Sequence, residues 1–401
     1  MSAAPVNRTL LNSPILNPPV TDVDGGANDA RRFAVHSLEL WWIIFAASLI
    51  PVSLIWDYSW ESSIGVDEVW SPPHLATRIG AWLCGTLGVL LVLRGTIAER
   101  RRGSAAGVSI GPLSAPSGAW VLCWGAALME VAVSFDLWWQ QAYGLGAGLW
   151  HPPQILKATA FFALLVGALM LAAVRANASA QAASVGLGWI GGLILALCGL
   201  MLVMSQLPNA QHTAWFARVT CAIYPGLLFA VGSATNRRWG MTGVALAYSL
   251  VSGAMVWILP LFPARPLTLP IHNEIERLLP PPFPLLLIGP AVALDWARAR
   301  LDKLTWIVRI TICGLLFAAV FLPVQWWFAG FLLSPGADNW FFAGGGRHWP
   351  FFLKIDDART MFWGLKQDPL TLKSALLAGA LAVGATALGE RAGKFLRNLR
   401  R

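Results

Sequence analysis

Three side chains near the end of the first apolar stretch have the types and spacing of a metal site. Asp57 and Glu61 stand four residues apart and His74 follows thirteen residues after Glu61. Two carboxylates and one imidazole offer oxygen and nitrogen donors that suit iron, manganese or zinc as well as copper, with open positions left for water or substrate. If the first helix continues past the membrane boundary, Asp57 and Glu61 share one of its faces. Pro72-Pro73 then gives a rigid entry to the next helix and sets His74 in its first turn, where the imidazole can meet both carboxylates. The same residues also fit a structural cluster in which the carboxylates cap backbone groups or accept from Trp indoles and His74. At the level of composition both readings stand.

The hairpin that carries these residues occurs twice. Residues 57–75 read DYSWESSIGVDEVWSPPHL and residues 136–155 read DLWWQQAYGLGAGLWHPPQI. Each copy has Asp at the exit of one apolar run, Trp three residues on, a polar residue after it, a glycine-containing turn, and then Trp-x-Pro-Pro followed by a polar side chain. In the second copy the ligand-type positions have become Asp136, Gln140 and Gln154, and neutral amides are poor metal ligands beside carboxylate and imidazole. The first copy is therefore the candidate site and the second a degenerate one.

Two further groups of ionisable residues bear on it. Glu130 lies inside an apolar run, where a carboxylate requires a partner, a proton or water; it is a candidate proton relay or an interhelical hydrogen-bonding group. Asp338 and His348 fall in a long polar and aromatic segment, 334–372, expected to fold as an interfacial lid over the hairpin mouths and to offer candidate further ligands. Gly344 to Gly346 follow no strand and open no helix with Lys-Ser/Thr, so they are not a phosphate-binding loop.

The elements that must position these groups are membrane-spanning helices. The chain is 56% hydrophobic and only 12% charged, and its apolar runs have the length that crosses a hydrocarbon core about 30 Å thick. Runs near 38–56, 73–94, 117–137, 153–174, 185–205, 213–234, 240–260, 279–297, 306–332 and 373–390 predict an all-α polytopic bundle of about ten spans. Alternate ends carry Arg31/Arg32, Arg100 to Arg102, Arg175, Arg237/Arg238, Arg298/Arg300/Lys303 and the basic tail, which places both termini in the cytoplasm of an inner-membrane protein. The eighth span is interrupted by Pro284 and Pro290, yet omitting it would put the basic tail outside. Residues 1–32 read as a disordered cytoplasmic leader, 33–175 as the duplicated hairpin region, 176–333 as further spans and 373–401 as a last span with its tail. The net charge of +9 sits in short clusters between spans and so excludes a nucleic-acid-binding stripe. The five cysteines form no CxxC pair and read as small core residues. Gly186, Gly188, Gly191 and Gly192 mark close helix packing.

The first hairpin resembles the C subunit of particulate methane and ammonia monooxygenases. The family pattern is Asp-x-x-Trp-His, a turn, and Asp-x-aromatic-Thr/Ser-Pro-x-His. Asp57, Trp60, Trp70, Ser71, Pro72 and His74 match it in spacing and type, Asp67 stands one residue further from the aromatic than the pattern has it, and Glu61 stands where the first ligand histidine would be. The match covers the first two spans. It implies an intramembrane metal site at Asp57, Glu61 and His74, copper in the family, with partner membrane or periplasmic subunits completing a hydroxylase. A carboxylate in place of the imidazole hardens the site and shifts preference toward iron, manganese or zinc.

These readings point to a metal site on the non-cytoplasmic side serving oxidation of a small apolar substrate, with tryptophans and Phe161/Phe162 shaping a pocket, or serving metal handling. Two rival classes remain: a proton-coupled transporter, which broken midplane helices would favour, and a non-catalytic scaffold subunit of a membrane complex.

Overall fold

The computed structural model describes residues 35–65, 69–102, 107–144, 151–178, 181–202, 207–344, 350–352 and 368–399. The expected leader at 1–32, Asp67, His348 and about half of the expected lid, 345–349 and 353–367, lie outside the described residues.

Among the described residues the chain is a bundle of ten α-helices: α1 Ser37–Ser63, α2 Pro72–Arg102, α3 Ser117–Tyr143, α4 Pro152–Asn177, α5 Gln181–Met201, α6 Ala214–Ala234, α7 Gly240–Ile258, α8 Ile288–Arg300, α9 Trp306–Leu332 and α10 Leu372–Asn398. Nine of them, all but α8, are long and apolar enough to cross a bilayer. The protein is a multi-pass helical membrane protein. Between α2 and α3 a two-stranded hairpin, β1 Val108–Ile110 and β2 Leu113–Ala115, departs from the all-helical expectation. Gly111 turns it at φ +59°, a conformation that suits glycine.

Contacts at the helix ends sort the bundle into two faces. Arg175 donates to Ser37 Oγ at 3.0 Å, Asn177 Nδ2 donates to the carbonyls of Leu396 and Leu399, and Arg237 donates to the carbonyl of Gln181. Arg309 pairs with Glu390, and Arg397 donates to the Ser233 carbonyl. The start of α1 and the end of α10 therefore share this basic end, and the hairpins lie at the other.

The eighth crossing corrects an expectation. A helix over 279–297 is not formed; only Ile288–Arg300 is helical, and the chain before it, 281–287, has no regular secondary structure. Pro280, Pro281, Pro282 and Pro284 explain this, because each lacks an N–H and drives the residue before it out of the helical region. The segment still traverses the bundle. Leu279 N–H donates to Ser63 Oγ at the hairpin end, while Asp295 accepts from the N–H groups of Met241 and Thr242 at the basic end. Between them Leu285 N–H donates to Tyr248 Oη at 3.0 Å and Leu286 N–H to Gln325 Oε1 at 2.9 Å. Non-helical backbone at this depth persists only where protein satisfies it, and the prolines help by removing donors that would otherwise need partners.

Small residues bring the other helices together. A Cβ on Gly192 in α5 would fall 2.6 Å from the Tyr248 backbone nitrogen of α7, and one on Gly389 in α10 would fall 2.2 Å from the Gly226 carbonyl of α6. Such contacts substitute for the hydrophobic driving force that lipid does not provide between helices. Gly186 and Gly191 pack in the same way against Ile44 and Val231, whereas Gly188 meets only Thr235 at 4.0 Å. Phe161 is buried in the core with Phe162 packed against it, so this pair fills space between helices. Cys84, Cys198, Cys221 and Cys313 are buried free thiols.

Candidate functional site

Helix α1 does run past the apolar stretch, through Asp57 and Glu61 to Ser63, and ends at Gly65 with φ +124°. Its far end is collared by distant chain. Leu267 N–H donates to the Ile64 carbonyl at 2.8 Å, Ser59 Oγ donates to the Leu279 carbonyl, and Phe351 N–H donates to the Ser62 carbonyl at 3.2 Å. Phe351 is buried against Ile55, Met255, Leu259, Ala264, Ile275 and Leu278. Residues 350–352 of the 334–372 segment thus cover the end of α1.

Helix α2 begins at Pro72 and packs antiparallel to α1. A hydrogen bond between Ser53 Oγ and Thr77 Oγ1, 2.7 Å and buried, fixes their register. One turn further out, His74 Nε2 comes to 3.3 Å from Asp57 Oδ1. Asp57 Oδ1 is buried and makes no hydrogen bond of good geometry, and neither does Trp60 Nε1, three residues along the same helix. An acceptor and a donor are thus left over on one face of α1, beside an imidazole, where buried polar groups ordinarily find partners.

Glu61 does not complete the expected triad. It is exposed, and among the described residues no three His, Cys, Asp or Glu side chains are grouped to hold a metal ion. The register explains why: antiparallel helices that bring residue 57 to residue 74 bring residue 61 level with residue 70, about 6 Å further out. Asp338 is exposed beyond the 3-10 turn Pro335–Ala337.

The second hairpin repeats the first in architecture but not in chemistry. Helix α3 has the same 27-residue length as α1, and Gly144 ends it at positive φ as Gly65 ends α1. Asp136 is buried and accepts from Gln140 Nε2 at 3.0 Å and from Lys157 Nζ. Gln154 is not joined to this cluster by any hydrogen bond among the described residues; Lys157, one turn later on α4, takes the expected place.

Glu130 is held from α2. Arg78 Nη2 lies 3.1 Å from Glu130 Oε2, and Trp82 Nε1 donates to Oε1 at 2.7 Å. The Arg78 guanidinium also sits over the rings of Trp70 and Trp82, at 4.3 and 5.3 Å from their centroids. Sequence reasoning named the carboxylates and missed both cations. The signal was present, since a lysine and an arginine inside apolar runs 153–174 and 73–94 need partners as much as Glu130 does.

No family model, curated protein or solved structure matches this chain.

Proposed function

We propose that the Asp57–His74 pair binds one first-row transition-metal ion on the non-cytoplasmic side of the membrane, serving oxidation of a small apolar substrate or metal handling. One observation carries this reading. The two donor atoms lie 3.3 Å apart without a hydrogen bond of good geometry between them, and two ligands each about 2.0–2.1 Å from a tetrahedral ion lie about 3.3–3.4 Å apart. The resemblance of this hairpin to the monooxygenase C subunit supports the same site. Asp57 and His74 would hold the ion, and the ion would supply Lewis-acid or redox chemistry there. Two protein ligands make an open site, and partner membrane or periplasmic subunits would complete a hydroxylase. The basic end faces the cytoplasm by the distribution of its arginines, which cysteine accessibility at the two ends measures directly.

The test is elemental analysis of the detergent-purified protein after loading with copper, iron, manganese and zinc in turn. Near-stoichiometric metal in the wild type, lost in Asp57→Ala and His74→Ala and kept in Glu61→Ala, is the expected result. A wild type that binds none of the four would end the metal reading.

Proton-coupled transport is the second reading, and the broken eighth crossing favours it. Interrupted helices with unwound backbone at mid-depth are how transporters build solute sites, and 279–287 is such a stretch. Metal-independent flux in proteoliposomes, abolished by changes at Tyr248 or Gln325, would select it.

A further inference from the structure

Between α2 and α3 runs an open groove of about 490 Å³, lined by Trp82, Gly85, Thr86, Ala126, Ala127 and Glu130 among others. Small residues bring the two helices close along it: a Cβ on Gly85 would fall 2.6 Å from Ala126 Cβ, and one on Gly88 3.0 Å from Cys123 Sγ. Helix α3 packs against α2 on one side and α4 on the other, so the groove opens on the outside of the described bundle. Val89 and Leu90 form its rim and are about half exposed.

This outer face carries charge at the middle of the span. Glu130 has thirteen residues of α3 on either side, about 20 Å of helix each way, against a hydrocarbon half-thickness of about 15 Å. Arg78 and Trp82 hold its carboxylate, yet its side chain is still 40% exposed. Ser134, one turn along the same face of α3, is exposed as well. Charged side chains within spanning helices almost always face protein or a water-filled cavity. An outward carboxylate at this depth therefore marks a surface that another spanning protein covers.

We propose that the covering protein is a second copy of this chain, related by a two-fold axis along the membrane normal, with the Val89–Leu90 ridge of each copy seated in the groove of the other. Such an axis keeps every residue at its own depth and requires one patch to carry both halves of each contact. This patch does. It presents a ridge beside a groove, the arrangement by which helices interlock. A carboxylate accepts about four hydrogen bonds, and Arg78 and Trp82 supply two to Glu130. Ser134 of the second copy, about 6 Å along the helix from the level of Glu130, is a donor for the remainder. Arg78 neutralises Glu130 within each copy, so the two faces meet without net charge, and Gly85, Ala126 and Ala127 permit the close approach that membrane interfaces favour. The interface is independent of whether Asp57 and His74 hold a metal.

The test is disulfide crosslinking of the full chain in native membranes. Ala127→Cys lies in the groove; Leu250→Cys, near the middle of α7 and 61% exposed, is the control, and both are made in a Cys123→Ala background because Cys123 also lines the groove. Ala127→Cys should give a product of twice the chain's mass and Leu250→Cys should not. Arg78→Leu/Glu130→Leu, which strands neither charge, should weaken dimerisation measured by Förster transfer in vesicles about tenfold, the loss of one interhelical hydrogen bond at each of two symmetry-related contacts. Thr86→Phe, which fills the groove from an exposed position, should leave the chain monomeric, and it serves if the charge-free variant fails to fold. Equal crosslinking at the two positions, or a wild type that stays monomeric as its density in vesicles rises, overturns the dimer. Unchanged dimerisation in folded Thr86→Phe overturns the groove, and a crosslink from Ala127→Cys to a different protein overturns the second copy as its occupant.

Discussion

Replacing Lys157 by methionine should cost the protein about 3 kcal/mol of stability, and the geometry sets that figure. The side chains of Asp136 and Lys157 are 11% and 19% exposed, so the pair belongs with buried ion pairs, whose rupture costs about 3–5 kcal/mol. Gln140 still donates to the stranded carboxylate at 3.0 Å, and a hydrogen bond to a charged group retains about 1.5 kcal/mol, which puts the loss at the low end of the range. Asp136→Asn should cost less, about 1.5 kcal/mol, because the lysine stem can carry its ammonium to the interface. The double variant Asp136→Asn/Lys157→Met leaves no charge to strand and should lie within about 1 kcal/mol of the wild type. The cycle therefore predicts a coupling energy of about 3 kcal/mol, measured by reversible unfolding in mixed micelles of rising SDS fraction. A coupling energy below about 1 kcal/mol, the value of an exposed pair, would refute the reasoning and with it the treatment of Asp136–Lys157 as a buried counterpart of Asp57–His74.

Two other predictions rest on the polar groups around the broken crossing. Gln325→Leu removes the acceptor of Leu286 N–H and the donor to Gln211 Oε1; the same SDS titration should show a loss of about 2 kcal/mol, against almost none for substitution of the exposed Gln141. His212 is pulled below its ordinary value of 6.5 by burial, which outweighs its bond to the Trp326 carbonyl. A depressed folded value means the unfolded chain binds more protons, so this contribution is full above about pH 6.5 and is lost as pH falls below it toward the folded value. The thermal midpoint should drop between pH 7 and 5 in the wild type and drop less in His212→Leu, and equal slopes in the two would remove His212 from the account.

How far the sequence was legible depended on whether a feature was local. The crossings were readable because apolar length is a property of one segment, and the repeat was readable because Asp, Trp, Gly and Pro-Pro recur at fixed offsets. The helices run longer than the apolar runs, as α1 does through Glu61 to Ser63, since hydropathy registers only the part immersed in lipid. The eighth crossing was misread because hydropathy counts proline and leucine without asking whether the backbone can hydrogen-bond; the four prolines before Leu285 carried the answer. The site was legible by half. Asp57 and His74 meet because Pro72-Pro73 and the Ser53–Thr77 contact fix their height, but the exclusion of Glu61 is set by the register between two helices, which no single segment encodes. Lys157 and Arg78 were missed for a related reason, since their partners lie on neighbouring helices.

The two hairpins together suggest what a conversion between them would require. Each places an aspartate near the membrane boundary, and a partly buried carboxylate there needs a positive neighbour. The second copy supplies it from a side chain of its own: Lys157 reaches Asp136, and Ala132, four residues before Asp136, is fully buried. In the first copy the aligned positions are Ser53 and Thr77, whose hydroxyls bond each other, and the neighbour of Asp57 is the imidazole of His74, neutral unless it takes a proton. A metal ion would fill that need in the first copy as the ammonium does in the second. Ser53→Ala/Thr77→Lys turns the first copy into the second. It should fold, place an ammonium on Asp57, and lower bound metal from near-stoichiometric to below about one tenth, since a fixed cation repels a second one at this range. Ser53→Ala alone should keep the metal. A folded double variant that still binds a full equivalent would show that Asp57 is not the ligand, whatever the metal content of the wild type.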